Sequence, residues 1–143
     1  MTAGYSGTPL PKKLGFKDGH RVAFVALPPE LEDLADAAAF AEVLRTPCAA
    51  DLAAAGPAFD LIHGFFTAEA DLREALVLLR AAIKPDGAIW ISWPKRASKV
   101  PTDITEDVIR SVALPTLVDV KVCAVSDVWS GLKLVIPVAQ RAR

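Results

Sequence analysis

The stretch from Phe59 to Trp93 restricts the fold more than any other part of the chain. Phe59-Asp60-Leu61-Ile62-His63-Gly64-Phe65-Phe66 is a nearly unbroken apolar run. A strand of that kind is buried on both faces, as central strands of parallel sheets are. Thr67 is a good helix N-cap, and Leu72, Ala75, Leu76, Leu79 and Ile83 recur on one face of a helix expected over Ala68 to Ile83. Lys84-Pro85-Asp86-Gly87 stops that helix, and Ala88-Ile89-Trp90-Ile91-Ser92-Trp93 is a second apolar strand. Strand, amphipathic helix, strand is the unit from which covered, mostly parallel sheets are built.

The flanking sequence extends this pattern. Arg21 to Leu27 is another apolar strand, preceded by the turn signal Lys17-Asp18-Gly19. Pro28-Pro29 ends it, and Pro29 suits the first turn of a helix, where its missing N–H has no partner to lose. Glu30, Glu32 and Asp33 favour a helix start, and Leu31, Leu34, Ala35 and Ala38 supply its apolar stripe. Glu42 to Thr46 reads either as a short second strand or as the end of a long helix. Ala49 to Ala55 is expected to make one or two helical turns. Pro101 and Asp103 open a helix to about Ala113, with Glu106 completing a capping box. Val118 to Asp127 is β-branched, Trp129-Ser130-Gly131 turns it, and Leu132 to Val138 runs back. The tail Ala139 to Arg143 is expected to fray. The result is an α/β chain with three layers: a mostly parallel sheet, helices on both faces, and a C-terminal antiparallel hairpin. Residues 1–19, rich in Gly, Pro and Lys, are expected as an N-terminal arm with one helical turn near Pro11 to Leu14. Residues 20–143 then form a single domain.

Charge and cysteine content remove several function classes. The 143 residues carry a net charge of −1, so no global field draws in nucleic acid or anionic membrane. Cys48 and Cys123 are far apart, with no CxxC or Cys/His cluster, and no metal is expected. Two reduced thiols, no apolar secretory stretch near the start and no run of about 18 apolar residues lead us to expect a cytoplasmic protein.

The segment Phe59 to Lys95 resembles the second half of a class I methyltransferase sheet. The residues that carry this are Phe59-Asp60-Leu61-Ile62, the following helix, Ile83-Lys84-Pro85-Asp86-Gly87 and Ala88-Ile89-Trp90-Ile91-Ser92. The resemblance implies a Rossmann-like sheet of the methyltransferase type. Nearly the whole chain also resembles a family of small bacterial proteins defined only as a domain of unknown function. That likeness rests on Gly4 to Leu10 with Lys12-Lys13-Leu14-Gly15, Trp93-Pro94-Lys95 through Ser98, and Thr102-Asp103 with Thr105-Glu106-Asp107. Val120 through Val125 and Trp129-Ser130-Gly131-Leu132 complete it. It implies kinship and fold, and brings no established activity.

One departure matters for function. Working methyltransferases cradle S-adenosylmethionine with glycines after the first strand, where the backbone approaches closely and takes positive φ. Here that loop is Ala26-Leu27-Pro28-Pro29, and proline fixes φ and removes a donor. A ribose-gripping acid is also missing if Glu42 to Thr46 is the second strand, because it ends in Arg45-Thr46. No cofactor is therefore expected, and S-adenosylmethionine in its usual mode is disfavoured.

The candidate ligand residues are Lys95, Arg96, Ser98 and Lys99, with Asp103 beside them. This basic loop lies at the carboxyl end of an expected strand, where open α/β sheets bind ligands, and approaches a helix N-terminus, which favours anions. The plain alternative is a solvated charged loop. Asp103 and Glu106 are explained as caps without any chemistry. His63 reads as a core histidine, and His20 lies at the opposite edge of the sheet. Cys48 lacks an evident base, and Cys123 falls in a strand. Trp129 either packs over the sheet end or presents an aromatic platform. Lys12-Lys13 would add to the basic loop if the arm folded back, but nucleic acid remains disfavoured. The reading that follows is a non-catalytic methyltransferase-like module binding a small anionic ligand or a protein partner at the strand carboxyl edge. The alternative is an enzyme using the same edge, with Lys95, Ser98 and Asp103 as its groups. A weaker third reading is an adaptor using the arm.

Overall fold

The apolar run after Gly19 becomes an interior strand, second from one edge of the sheet. In the computed structural model, which describes residues 9–141, β1 (Arg21–Val25) pairs in parallel with β2 (Glu42–Thr46) on one side and β3 (Phe59–Phe65) on the other. The segment that read as strand or helix is thus a strand, and as an edge strand it is largely exposed. Next to β3 lies β4 (Ile83–Pro94), also parallel. Beyond it comes β6 (Trp129–Val135) and then β5 (Val118–Ala124), each pairing antiparallel with its neighbour. The sheet order is β2-β1-β3-β4-β6-β5, a mixed six-stranded sheet in which β6 alone runs against the rest.

Alternation along these strands separates two faces. On the first, Ala23, Val25, Ile62, Ile89 and Ile91 meet Leu72, Ala75, Leu76 and Leu79 of α2 (Glu69–Ala82), with Ile109 and Ala113 of α3 (Glu106–Ala113). Burying each large aliphatic side chain is worth roughly 2 kcal/mol, so this face holds most of the apolar stabilisation. On the second, Val22, Phe24, Leu61, Trp90 and Cys123 are covered by Leu14, Phe16 and Leu34. The cover is thin: α1 (Leu10–Leu14) has five residues, and Pro29–Asp36 is a 3-10 segment. Leu14 and Phe16 are core residues, so residues 10–16 pack into the domain. The Trp90 indole N–H donates to the Leu14 carbonyl at 2.8 Å. The stretch Gly4 to Thr8 singled out in the sequence lies outside the described residues.

Several local expectations are corrected. Pro29 does start a helical segment, but it is 3-10 and broken at Leu31, where φ is −115°. Ala49–Leu52 is also a 3-10 turn. The N-cap position of α2 is Ala68, and Thr67 instead offers its carbonyl to the Thr102 hydroxyl at 2.6 Å. Lys84–Gly87 is an excursion within β4, between the pairs Phe59↔Ile83 and Leu61↔Ala88. Gly87 is needed there, because a Cβ would sit 3.0 Å from the Phe59 carbonyl oxygen. Trp129-Ser130-Gly131 belongs to β6, not to a turn. The turn precedes it, where Ser126 Oγ accepts from the backbone of Val128 at 3.1 Å and of Trp129 at 3.0 Å. The end of the chain is tied down as far as Arg141: Arg80 donates to the Gln140 side chain at 3.0 Å, and Arg141 donates to the Ile136 carbonyl at 3.0 Å.

No helix among the described residues is long and apolar enough to cross a membrane. Among those residues, no group of His, Cys, Asp and Glu is placed to hold a metal ion.

Candidate functional site

The chain goes from β1 out to β2 on one side, then back across β1 to β3 on the other. Successive connections therefore diverge at the carboxyl ends of β1 and β3, where open α/β sheets form ligand crevices. A cleft of about 820 Å³ lies there. Its floor is Val25 and Ala26 after β1, Pro47 and Cys48 after β2, and Phe65, Phe66 and Thr67 after β3. Its walls are Ala49 and Ala50 on one side and α2 on the other, with Trp129 reaching in from β6. The volume suits a small-molecule ligand.

Ala26 makes the turn that opens this cleft. Its φ is +58°, in the left-handed region, and its amide donates to the Thr46 carbonyl at 2.8 Å. An L-residue pays about 1–2 kcal/mol to stay there. Strain of this kind is kept where the surroundings over-determine it, and it clusters at functional sites. After β2, the Thr46 hydroxyl is bonded to the Asp51 carboxylate and to the Cys48 backbone, which fixes the opposite lip.

The charge of the cleft is acidic. Among the described residues, its charged lining groups are Asp71 and Glu74, both exposed on the first two turns of α2 and neither in an ion pair. The aromatic lining is Phe65, Phe66 and Trp129, with the Trp129 ring edge-on to Phe65 at 5.2 Å between centroids. The Trp129 indole N–H is buried and has no acceptor among the described residues. No hydrogen bond joins the Cys48 thiol to a base among the described residues.

Of the expected site residues, only Trp129 lines this cleft. Lys95, Arg96, Ser98 and Lys99 form a tight 3-10 turn after β4, outside it. The Ser98 hydroxyl donates to the Lys95 carbonyl at 2.6 Å, and Lys99 takes a left-handed φ of +62° to leave the turn. The following helix, α3, starts at Glu106 and not at Asp103, so the basic loop does not abut its N-terminus. Thr105 caps α3, accepting from the Val108 amide at 3.2 Å. Asp103 instead accepts from the Glu69 amide at 2.7 Å and so caps α2. Thr102 and Asp103 together bind the segment before α3 to the β3–α2 connection. Ser98 is thus bonded within its own turn, whereas Asp103 is bonded across to the start of α2.

His63 is fully buried in β3, and burial pushes its pKa down to about 3. Its Nε2 is 2.7 Å from Ser92 Oγ, its ring stacks on Phe65 at 4.3 Å, and Nδ1 has no partner among the described residues. It is a neutral core residue.

Asp71 and Glu74 were not distinguishable in the sequence from the solvent face of an ordinary amphipathic helix. Only the closing of Ala49-Ala50 over the end of β1 turns that face into a cleft wall.

Solved structures share this architecture. A putative type 11 methyltransferase from Sulfolobus solfataricus superposes with a TM-score of 0.65 at 14% identity, covering 94% of this chain and 93% of that one. A SAM-dependent methyltransferase from Aquifex aeolicus gives 0.54 at 15% identity, over 88% and 87% of the two chains. A mutant of MtNAS gives 0.59 at 13% identity over 85% of this chain, which spans 55% of the length of that protein. Neither a family model nor a curated protein sequence matches the chain. The chain thus has an α/β, Rossmann-like fold like that of these methyltransferase structures.

Proposed function

We propose that this chain is a binding module on a methyltransferase-type fold, kin to the small bacterial family it resembles. Its cleft seats a small ligand with a flat apolar body and a positive charge, and does not turn it over. The observation that carries this is the cleft of about 820 Å³ at the ends of β1 and β3, aromatic on its floor and charged, among the described residues, by Asp71 and Glu74. A cation held between carboxylates and the faces of Phe66 and Trp129 gains from both charge and ring quadrupole. The basic loop of Lys95, Arg96, Ser98 and Lys99 stands outside the cleft, so an anion is not part of this reading of it.

The cofactor named for the Aquifex neighbour fits in size and sign of charge but not in grip. Ala26 keeps the left-handed turn, but Pro28 and Pro29 have no N–H to offer it. The acid beyond β2, Asp51, is bonded to Thr46.

Three probes of similar size and different charge test the reading: benzylamine, benzyl alcohol and benzoate, measured by calorimetric titration. The expected order of affinity is cation, neutral, anion, and the preference should vanish in Asp71→Asn/Glu74→Gln. Benzoate binding as tightly as benzylamine would contradict it. Micromolar binding of S-adenosylmethionine would overturn the statement that its grip is missing.

A further inference from the structure

On the second face, one row of side chains crosses four strands. His63, Trp90, Lys133 and Lys121 stand side by side in register on β3, β4, β6 and β5. Lys121 and Lys133 are direct partners on antiparallel strands. Like charges so placed destabilise a sheet. Lys121 Nζ donates to the Lys13 carbonyl at 3.1 Å, at the end of α1. Two more carbonyls of α1 are taken by the chain itself: Lys12 by the Gly15 amide at 3.2 Å, and Pro11 by the Phe16 amide at 3.1 Å. Lys133 is half-buried beside Gly15, whose Cβ, were it present, would lie 4.0 Å from Nζ.

Lys133 has no hydrogen-bond or ion-pair partner among the described residues. Burial lowers its pKa, and the charges of Lys121 and Lys17 lower it further. None of the ion pairs of Arg21, Arg45, Arg73, Lys84 and Arg110 includes Lys121 or Lys133. Residues 1–8 and 142–143 contain no Asp or Glu.

We propose that Lys17, Lys121 and Lys133 form a binding site for a phosphate group. Clustered ammonium groups call for more than one negative charge. A phosphate monoester or free phosphate carries about −1.5 to −2 at neutral pH, whereas a carboxylate or a backbone phosphodiester carries one. Lysines act here as point charges that need no bidentate geometry. The observed like-charge pair is then the cost of a site whose charge is offset only when it is occupied. This site lies apart from the cleft and does not depend on what the cleft binds.

Thermal melting at constant ionic strength tests it, with inorganic phosphate, adenosine 5′-monophosphate and oligothymidylate as separate arms. Phosphate should raise the Tm to a plateau. Lys133→Met should weaken that binding about tenfold, Lys133→Arg should keep it, and Lys99→Met should leave it unchanged. Without phosphate, Lys133→Met should melt no lower than the parent protein, because the repulsion is gone. A monoester binding tighter than inorganic phosphate would identify an esterified ligand of the same site. The proposal is overturned by the absence of a plateau, by equal affinity in Lys133→Met, or by oligothymidylate binding more tightly per phosphate than the monoester.

Discussion

The two faces of the sheet are built differently. The first carries α2 and α3, of fourteen and eight residues, over a surface of aliphatic side chains. The second carries the five-residue α1 and a 3-10 segment, over a surface that includes His63, Ser92 and two lysines. Charge divides the same way: carboxylates stand at the cleft, on the α2 side, and ammonium groups cluster on the thinly covered face. The first face follows the pattern of a Rossmann-like sheet, where packing alone decides each residue. On the second, polar groups occupy positions that packing would fill with aliphatic side chains. The proposed functions follow that split.

The largest expected effect breaks the comparison at Trp90. Trp90→Ala removes a fully buried indole and leaves the Leu14 carbonyl without its donor. The loss should be about 3–5 kcal/mol by urea denaturation. Leu79→Ala on the first face should cost about 2–5 kcal/mol. The two should differ in amide exchange. Only Trp90→Ala should free the amides of Gly15 and Phe16, because only it releases α1 from the sheet.

His63 gives the next effect. Its native pKa of about 3 lies far below the ordinary 6.5. Below pH 6.5 the unfolded chain binds a proton that the native state refuses, so the stability present above that pH is lost as pH falls toward 3. Between pH 6.5 and 4.5 the loss should be about 2.3 kcal/mol. His63→Gln should remove that component of the pH dependence, whatever it does to absolute stability. An unchanged slope in His63→Gln would place the acid sensitivity elsewhere.

Asp103 separates a cap from a ligand group. Asp103→Ala should cost about 1 kcal/mol through the N-terminus of α2, while Asp71→Asn should stay within about 0.5 kcal/mol. Both are read by thermal melting without ligand. A last, small effect has the opposite sign. Ala26→Gly should stabilise by about 0.5–1 kcal/mol, because glycine holds positive φ without strain.

The buried strands and the first face were largely legible, because long apolar runs and a 3.6-residue stripe are local signals. Caps were less so. Asp103 has the spacing of a capping box for the next helix, yet it reaches back to Glu69, and no local pattern encodes a bond between segments so far apart in the chain. Trp129-Ser130-Gly131 carries turn-forming residues, but Ser126 makes the turn three residues earlier. The basic loop was visible as composition, while the Lys121–Lys133 pair was not, since it depends on the register of β5, which shifts between Asp119 and Lys121. Asp71 and Glu74 were hidden in the same way, as cleft residues only once α2 is docked beside the end of β1.

The division of charge between the two faces is tested most directly by amide chemical-shift mapping with two probes on one sample. Benzylamine should shift Ala26, Phe66, Thr67 and Asp71 and leave Gly15 and Lys133 unmoved. Inorganic phosphate should do the reverse. Shifts from both probes at the same residues, or phosphate shifts at Ala26 and Phe66, would contradict the account.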